Sequence, residues 1–454
     1  KDNESTLKEF DGQLSSRGAS QLSPILPYHN AFFKCLANPC DPIDNPGGHI
    51  ALCVAENKLV TNLLSDYFCK PQINNTAFLD PIVYCYNNFL GLPPAREAVA
   101  YFLEKRFSSK KTCIDPEHVV IGSGGASLLS SLFYTLAEEG DAVLIPAPYY
   151  AVFESDMKAI AKCVPFPVEL VDPVSGPTKE DLEKATMLAR QKGLNVKMLL
   201  LTNPSNPLGV IYSPEVVSNC ISWARSKSMH TIVDEIYALS VRNNTDNKFS
   251  SVIEILDNKF GNDVHMLWAL SKDFGSSGLR IGILYTQNET LLTALSNLNI
   301  FSGVSNPMQM LLSTLLTDDA FVDSFLQESR KRLDFSYNTC TQKFREVGIS
   351  YVPAEAGLFV YCDFSSILPE ISTFENEQIF SNLLNNIARV VLAPGECQRD
   401  KKPGMFRLCY SWVSHEVLCI ALERITRLVL KLRELGWANR NLLQCDEIIN
   451  ITCE

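Results

Sequence analysis

The 454-residue chain lacks several features, and each absence narrows its chemistry. No apolar run approaches the ~18 residues that a membrane-spanning helix needs, so no span is predicted. Basic residues are outnumbered, 40 against 51 acidic, for a net charge of −11. A nucleic-acid partner requires a basic face, and none is expected. The six histidines form no H-E-x-x-H pair or related cluster, so no metal centre is predicted. Cysteine is not scarce, at 15, but no C-x-x-C pair occurs, and Cys53, Cys163 and Cys409 stand in apolar runs. They read as buried free thiols of a reducing, cytoplasmic compartment rather than as a disulfide framework. The G-x-x-x-x-G-K-[ST] nucleotide loop is missing, as are internal repeats and heptads. The chain begins at Lys1 rather than Met, which leaves a preceding segment open.

What is present is concentrated in four segments. The run His265–Leu270 is apolar and leads to Lys272, with Arg280 eight residues further on across a glycine-rich bend. A lysine at the end of a buried strand is desolvated, which lowers its pKa and makes it a candidate Schiff-base nucleophile. Arg280 offers a planar fork suited to a phosphate. Together they suggest an aldehyde cofactor that carries a phosphate, pyridoxal 5′-phosphate (PLP). A second run, His230–Val233, ends in Asp234-Glu235-Ile236-Tyr237. PLP needs a protonated ring nitrogen, and Asp234 is the candidate carboxylate beside it, with Tyr237 a donor to the ring oxygen. A third, Leu199–Thr202, runs into Asn203-Pro204-Ser205-Asn206-Pro207, where two Asn-Pro steps force an extended bend able to aim an amide into a cleft. The fourth, His118–Ile121, meets Gly122-Ser123-Gly124-Gly125-Ala126-Ser127 and then a helical pattern. That is a strand, a glycine-rich turn and a helix N-terminus, which binds anions.

A hydrophobic share of 46% over this length suits a two-lobed globular chain. Residues 1–25 read as a flexible arm and 26–84 as the N-terminal segment of a small domain. Residues 85–310 alternate short apolar runs with amphipathic segments, as in Ala142–Ile145 followed by Tyr150–Ala161. This predicts an α/β fold, a mostly parallel sheet with helices on both faces, forming a large cofactor-binding domain. Cofactor loops then lie at the carboxyl ends of the strands. From 311 to 454 the longer helical patterns Leu312–Leu333 and His415–Glu434 flank a strand at Leu358–Tyr361. These predict a smaller α+β domain.

The order of the four segments resembles that of the fold-type-I PLP enzymes, the aspartate aminotransferase superfamily. Within it the chain is most similar to 1-aminocyclopropane-1-carboxylate (ACC) synthases and ACC-synthase-like proteins. The blocks that carry the resemblance run from about residue 26 to 430. They include GGHIALCVAENKL (47–59), GLPPAREAVAYFL (91–103), PAPYYAVFESD (146–156), NPSNPLG (203–209), DEIYA (234–238), AEAGLFVYCDF (354–364) and PGMFRLCYSW (403–412). The resemblance implies that Lys272 holds PLP and then takes the substrate Cα proton. Asp234 would pair with the ring nitrogen, and Asn206 and Tyr237 with the ring oxygen. Tyr150 would stack on the ring, with Tyr149 as the alternative. Gly125, Ala126, Ser271 and Arg280 would bind the phosphate, and Arg407 the substrate α-carboxylate. Glu56 matches a glutamate near the substrate side chain, where a carboxylate favours the sulfonium of S-adenosylmethionine (SAM). Its structural alternative is a helix-capping acid.

Two positions depart from the plant enzymes. Phe89 stands where they carry a tyrosine that reaches the partner subunit's cofactor, and Ala269 where they carry a phosphate-binding serine. Each loses a hydrogen bond of roughly 1.5–3 kcal/mol to a charged group, which a dianion with other donors tolerates. The expected activity is Cα deprotonation and γ-elimination of methylthioadenosine from SAM, giving ACC or a γ-substituted product. The alternative is transfer of an amino group from an amino acid to a 2-oxo acid. A homodimer, with each site at the subunit interface, is expected.

Overall fold

The computed structural model describes residues 14–109, 112–243 and 248–449. Residues 1–13 of the arm expected over 1–25 lie outside this set. In chain order the strands are β1 (Ile50–Ala51), β2 (Val119–Ser123), β3 (Ala142–Ala147), β4 (Val164–Glu169), β5 (Val196–Thr202), β6 (His230–Asp234) and β7 (Val264–Ala269). They continue with β8 (Ile281–Thr286), β9 (Ser350–Val352), β10 (Phe359–Asp363), β11 (Val390–Val391), β12 (Ala393–Pro394) and β13 (Met405–Cys409).

Seven of these form one sheet in the order β2-β8-β7-β6-β5-β3-β4. Only β8 runs against its neighbours, β2 and β7, and the remaining pairs are parallel. Successive residues of a strand face opposite sides, and this alternation builds two cores. Met266 and Trp268 of β7 pack with Phe102 of the helix Pro93–Arg106 and Ile221 of the helix Pro214–Ser226. Leu267 turns to the other side, against Leu128 and Leu132 of the helix Gly124–Leu136 and Phe153 of the helix Phe153–Lys158. Every residue of β3 and β7 is buried, as covering both faces requires. The edge strand β4 carries Pro165 and Pro167, residues that a central strand could not hold without losing ladder bonds.

A second, antiparallel sheet has the order β12-β13-β10-β9, and β1 pairs with β11 in parallel. Its core includes Phe359, Phe406, Cys340 and Leu428, the last two from the long helices Asp319–Glu346 and His415–Leu435. The helical pattern expected over 312–333 is divided between Asn306–Thr317 and Asp319–Glu346. The break falls at Asp318, whose side chain caps the second helix by accepting from Phe321 N. Neither core is one continuous stretch of chain. Val60, Leu64 and Leu312 pack on the large sheet's core, whereas Ile50 and Leu52 pack with the small one. No helix among the described residues is long and apolar enough to cross a membrane.

Candidate active site

Parallel strands β5, β6 and β7 bring their carboxyl ends together. Thr202, the last residue of β5, is in register with Asp234, the last of β6, and Asp234 with Leu267 of β7. Asn203 N donates to the Asp234 carbonyl at 3.0 Å, which ties the Asn-Pro bend to β6. Lys272 does not follow β7 directly. It occupies the one-turn helix Leu270–Asp273, and the reason lies in its neighbour Asp273. That buried carboxylate accepts from Trp268 Nε1 at 2.9 Å, Ser240 Oγ at 2.6 Å and Leu239 N at 3.1 Å, fixing the turn in place. Lys272 Nζ donates to the Ala55 carbonyl at 2.5 Å. Burial, and then the Arg407 guanidinium, bring its pKa down from the usual value to about 8.

These groups open onto a cavity of about 730 Å³ lined by Gly125, Ala126, Tyr150, Asn206, Asp234, Tyr237, Ser271, Lys272 and Arg280. Burial pushes the Asp234 carboxyl up to about 7, against the pull of the Ile236 N–H and Lys272. Asn206 links two other assigned groups. Its Nδ2 donates to the Tyr237 hydroxyl at 3.3 Å, and its Oδ1 accepts from Arg407 Nη1 at 2.9 Å. Arg407 is 3% exposed, donates through Nη2 to the Cys53 carbonyl at 2.7 Å, and has an Nε with no partner among the described residues. A buried donor left unpaired is costly, and a carboxylate would satisfy it.

At the other end Arg280 reaches back to the Ser277 carbonyl at 3.0 Å and the Ser123 carbonyl at 3.4 Å, over the N-terminus of the helix Gly124–Leu136. Glycine is required here twice. Gly124 has φ +79°, and a Cβ on it would lie 2.3 Å from Arg280 Nη2; one on Gly282 would lie 2.5 Å from the Gly124 carbonyl carbon. Arginine, free helical N–H groups and Ser271 together form a donor set for a phosphate. A second cavity of about 650 Å³ shares Tyr150, Val152 and Lys272 and adds Tyr28, Phe32, Val54 and Arg407.

Of the residues singled out from the sequence, most meet in these cavities, and four cases need separate statement. Tyr150 lines both cavities, while Tyr149 is buried with its hydroxyl on Glu154 Oε1 at 3.2 Å. Glu56 is not a helix cap, since Val60 precedes the helix Thr61–Phe68. It lines neither cavity; its carboxylate accepts from the Oγ of Ser277, a lining residue of the first cavity, and its charge bears on Lys272. Phe89 lines neither cavity of the single chain; it is 37% exposed, and its carbonyl accepts from Asn299 Nδ2. Ala269 is fully buried at the end of β7. Sequence reasoning missed Asp156 and Thr202, which also line the first cavity. The signal for Asp156 was an acid set three residues after Phe153 and beside Met157, the two buried apolar residues of this helix.

A doubly covered, mostly parallel sheet with a lysine, a carboxylate and a phosphate-type cradle at its strand ends defines the class. Residues 77–425 match the family described as aminotransferase class I and II, and the chain belongs to this family of PLP-dependent enzymes. Within it the protein is ACC-synthase-like. It is 33% identical to 1-aminocyclopropane-1-carboxylate synthase of Nicotiana tabacum over 420 residues, covering 90% of this chain and 84% of the relative. It is 32% identical to 1-aminocyclopropane-1-carboxylate synthase 2 of Arabidopsis thaliana over 399 residues, covering 85% and 80%. In fold it is similar to Thermus thermophilus aspartate aminotransferase with maleate, with a TM-score of 0.74 at 21% identity, covering 91% and 99%. The aromatic aminotransferase of Pyrococcus horikoshii gives 0.67 at 22%, covering 85% and 97%.

Proposed function

We propose that the protein binds PLP on Lys272 and acts on SAM by Cα deprotonation and γ-elimination of methylthioadenosine, giving ACC or a γ-substituted product. The residues present fit the cofactor. Lys272 meets an aldehyde, Asp234 a ring nitrogen, Asn206 and Tyr237 a ring oxygen, and Arg280 with the Gly125 and Ala126 N–H groups and Ser271 a phosphate. Tyr150 would cover the ring. When bound, PLP supplies an electron sink for a carbanion at the substrate Cα. Everything else falls to the chain. Arg407, with its unpaired Nε, holds the substrate α-carboxylate and so orients Cα. Lys272, once the substrate amine has displaced it from the cofactor, is the group that takes the Cα proton, and the burial that brings its pKa down to about 8 favours the free amine this requires. Asp234 keeps a proton at the ring nitrogen.

The observation that carries the SAM reading is Glu56, a carboxylate held by Ser277 within the field of Lys272. A sulfonium substrate is stabilised by such a charge, whereas an apolar amino acid is not. The similarity to ACC synthases points the same way. One observation favours the aminotransferase alternative: the second cavity is lined by Leu26, Phe32, Val54 and Val152, which suit an apolar side chain.

A homodimer is part of the proposal, supported by the exposed Tyr84, Tyr86, Phe89 and Phe301, at 72%, 93%, 37% and 87%. So are a cytoplasmic location, supported by the free cysteines among the described residues, and the division at residues 25, 84 and 310. The experiment is to incubate PLP-loaded protein with SAM and measure methylthioadenosine by mass spectrometry against an enzyme-free control. Product above control is expected. Its absence, with amino acids instead converting the cofactor to its amine form, would replace the SAM reading by the aminotransferase one.

A further inference from the structure

One acid in the first cavity has no role in this scheme. Asp156 lies on the helix Phe153–Lys158, one turn after Phe153 and next to Met157. Both neighbours are buried in the core that holds Leu128, Leu129 and Leu267. Helical spacing therefore sets Asp156 along an apolar face. A carboxylate in that position is short of water, and it has no bonding partner among the described residues. It lines the same cavity as Asp234 and Thr202. Thr202, in register with Asp234, has a buried hydroxyl with no partner either.

The charged and titratable groups facing Asp156 are Asp234 from β6 and Tyr150 from the turn before its own helix. Lys272 and Arg280 lie along the same cavity. Asp156 acts on Asp234 as a like charge, raising its proton affinity, and burial alone brings Asp156 itself up to about 7. Two acids and an unpaired hydroxyl thus line this part of the cavity. Such an arrangement favours a positive charge beside it.

We propose that Asp156 is a positioning residue for the cofactor's ring nitrogen, acting through Asp234 as a second acid at that end of the cavity. This rests on the PLP reading. A ring nitrogen that carries a proton is the cation that two carboxylates favour. A ring with carbon in place of that nitrogen gains nothing from them. Asp156 therefore contributes to choosing between these rings and to keeping the nitrogen protonated, without touching the substrate.

The test compares the affinity of cofactor-free protein for PLP and for its 1-deaza analogue, in wild type, Asp156→Asn and Asp156→Leu. Wild type should prefer PLP. In Asp156→Asn, which keeps the shape of the side chain, PLP should bind about tenfold more weakly, the equivalent of one pKa unit of differential interaction. The deaza analogue should bind as it does to wild type. Asp156→Leu should show the same loss of preference if it folds, as judged by its thermal midpoint. Equal weakening of both ligands in Asp156→Asn would mean a structural role and overturn the proposal, as would no change in either. Wild-type protein that takes up no PLP would overturn the PLP reading itself.

Discussion

Gly124→Ala separates backbone strain from loss of the phosphate cradle, because the two costs come from different atoms. The φ of +79° at Gly124 costs an alanine about 1–2 kcal/mol wherever it occurs. In addition, the new Cβ would lie 2.3 Å from Arg280 Nη2, with Cζ and Nη1 also within reach. A guanidinium is the far end of a flexible side chain, so it would swing away and leave the fold standing. What is lost is its bonds to the Ser123 and Ser277 carbonyls and its place over the helix N-terminus. One charged hydrogen bond to a phosphate is worth about 1.5–3 kcal/mol, so PLP affinity should fall roughly 10- to 150-fold. Gly140→Ala is the matched control. It has φ +89°, but its Cβ would meet nothing within 4 Å. Both variants should lose similar thermal stability as cofactor-free proteins, and only Gly124→Ala should lose PLP in equilibrium dialysis. Retention of PLP within twofold of wild type by Gly124→Ala would refute the assignment of Arg280 to the phosphate.

Three further outcomes are expected. Arg407→Gln should raise KM for the amino-acid substrate roughly 30- to 150-fold, the loss of about 2–3 kcal/mol of charge-assisted bonding, with PLP absorbance unchanged. Asp273→Ala should destabilise the protein by roughly 3–6 kcal/mol, since three buried donors lose their acceptor; urea unfolding followed by tryptophan fluorescence measures it. His265 is buried against His230 and Thr286, and burial depresses its pKa to about 3. Because the unfolded histidine binds a proton near pH 6.5 that the folded one refuses, this stability is present above pH 6.5 and lost as pH falls towards 3. About 2 kcal/mol should disappear between pH 7 and 5, and His265→Gln should flatten that dependence.

The elements that position the site were legible because each carries its signal locally. The runs before Asp234 and Lys272 are apolar and short, the Asn-Pro steps prohibit helix, and Gly122–Gly125 announce a tight turn, so the strand ends could be placed from sequence. Two kinds of feature were not legible. The one-turn helix under Lys272 depends on Asp273 collecting donors from Ser240 and Leu239, contacts more than thirty residues away in sequence. The pairing of Glu56 with Ser277 likewise joins residues 221 apart, and reading Glu56 as a helix cap used only its local surroundings. Thr202 ends a strand like many threonines; only the parallel register of β5 and β6 sets it beside Asp234. Phe89 lies outside both cavities of one chain, and a role for it awaits a second copy.

The central claim, that Lys272 holds the cofactor within this cavity, has a direct measurement. PLP-loaded protein is reduced with borohydride, digested, and mapped by mass spectrometry. A phosphopyridoxyl mass is expected on the peptide containing Lys272 and on no other, with no such adduct in Lys272→Ala. An adduct on a different lysine in the wild type, or one that persists unchanged in Lys272→Ala, would contradict it.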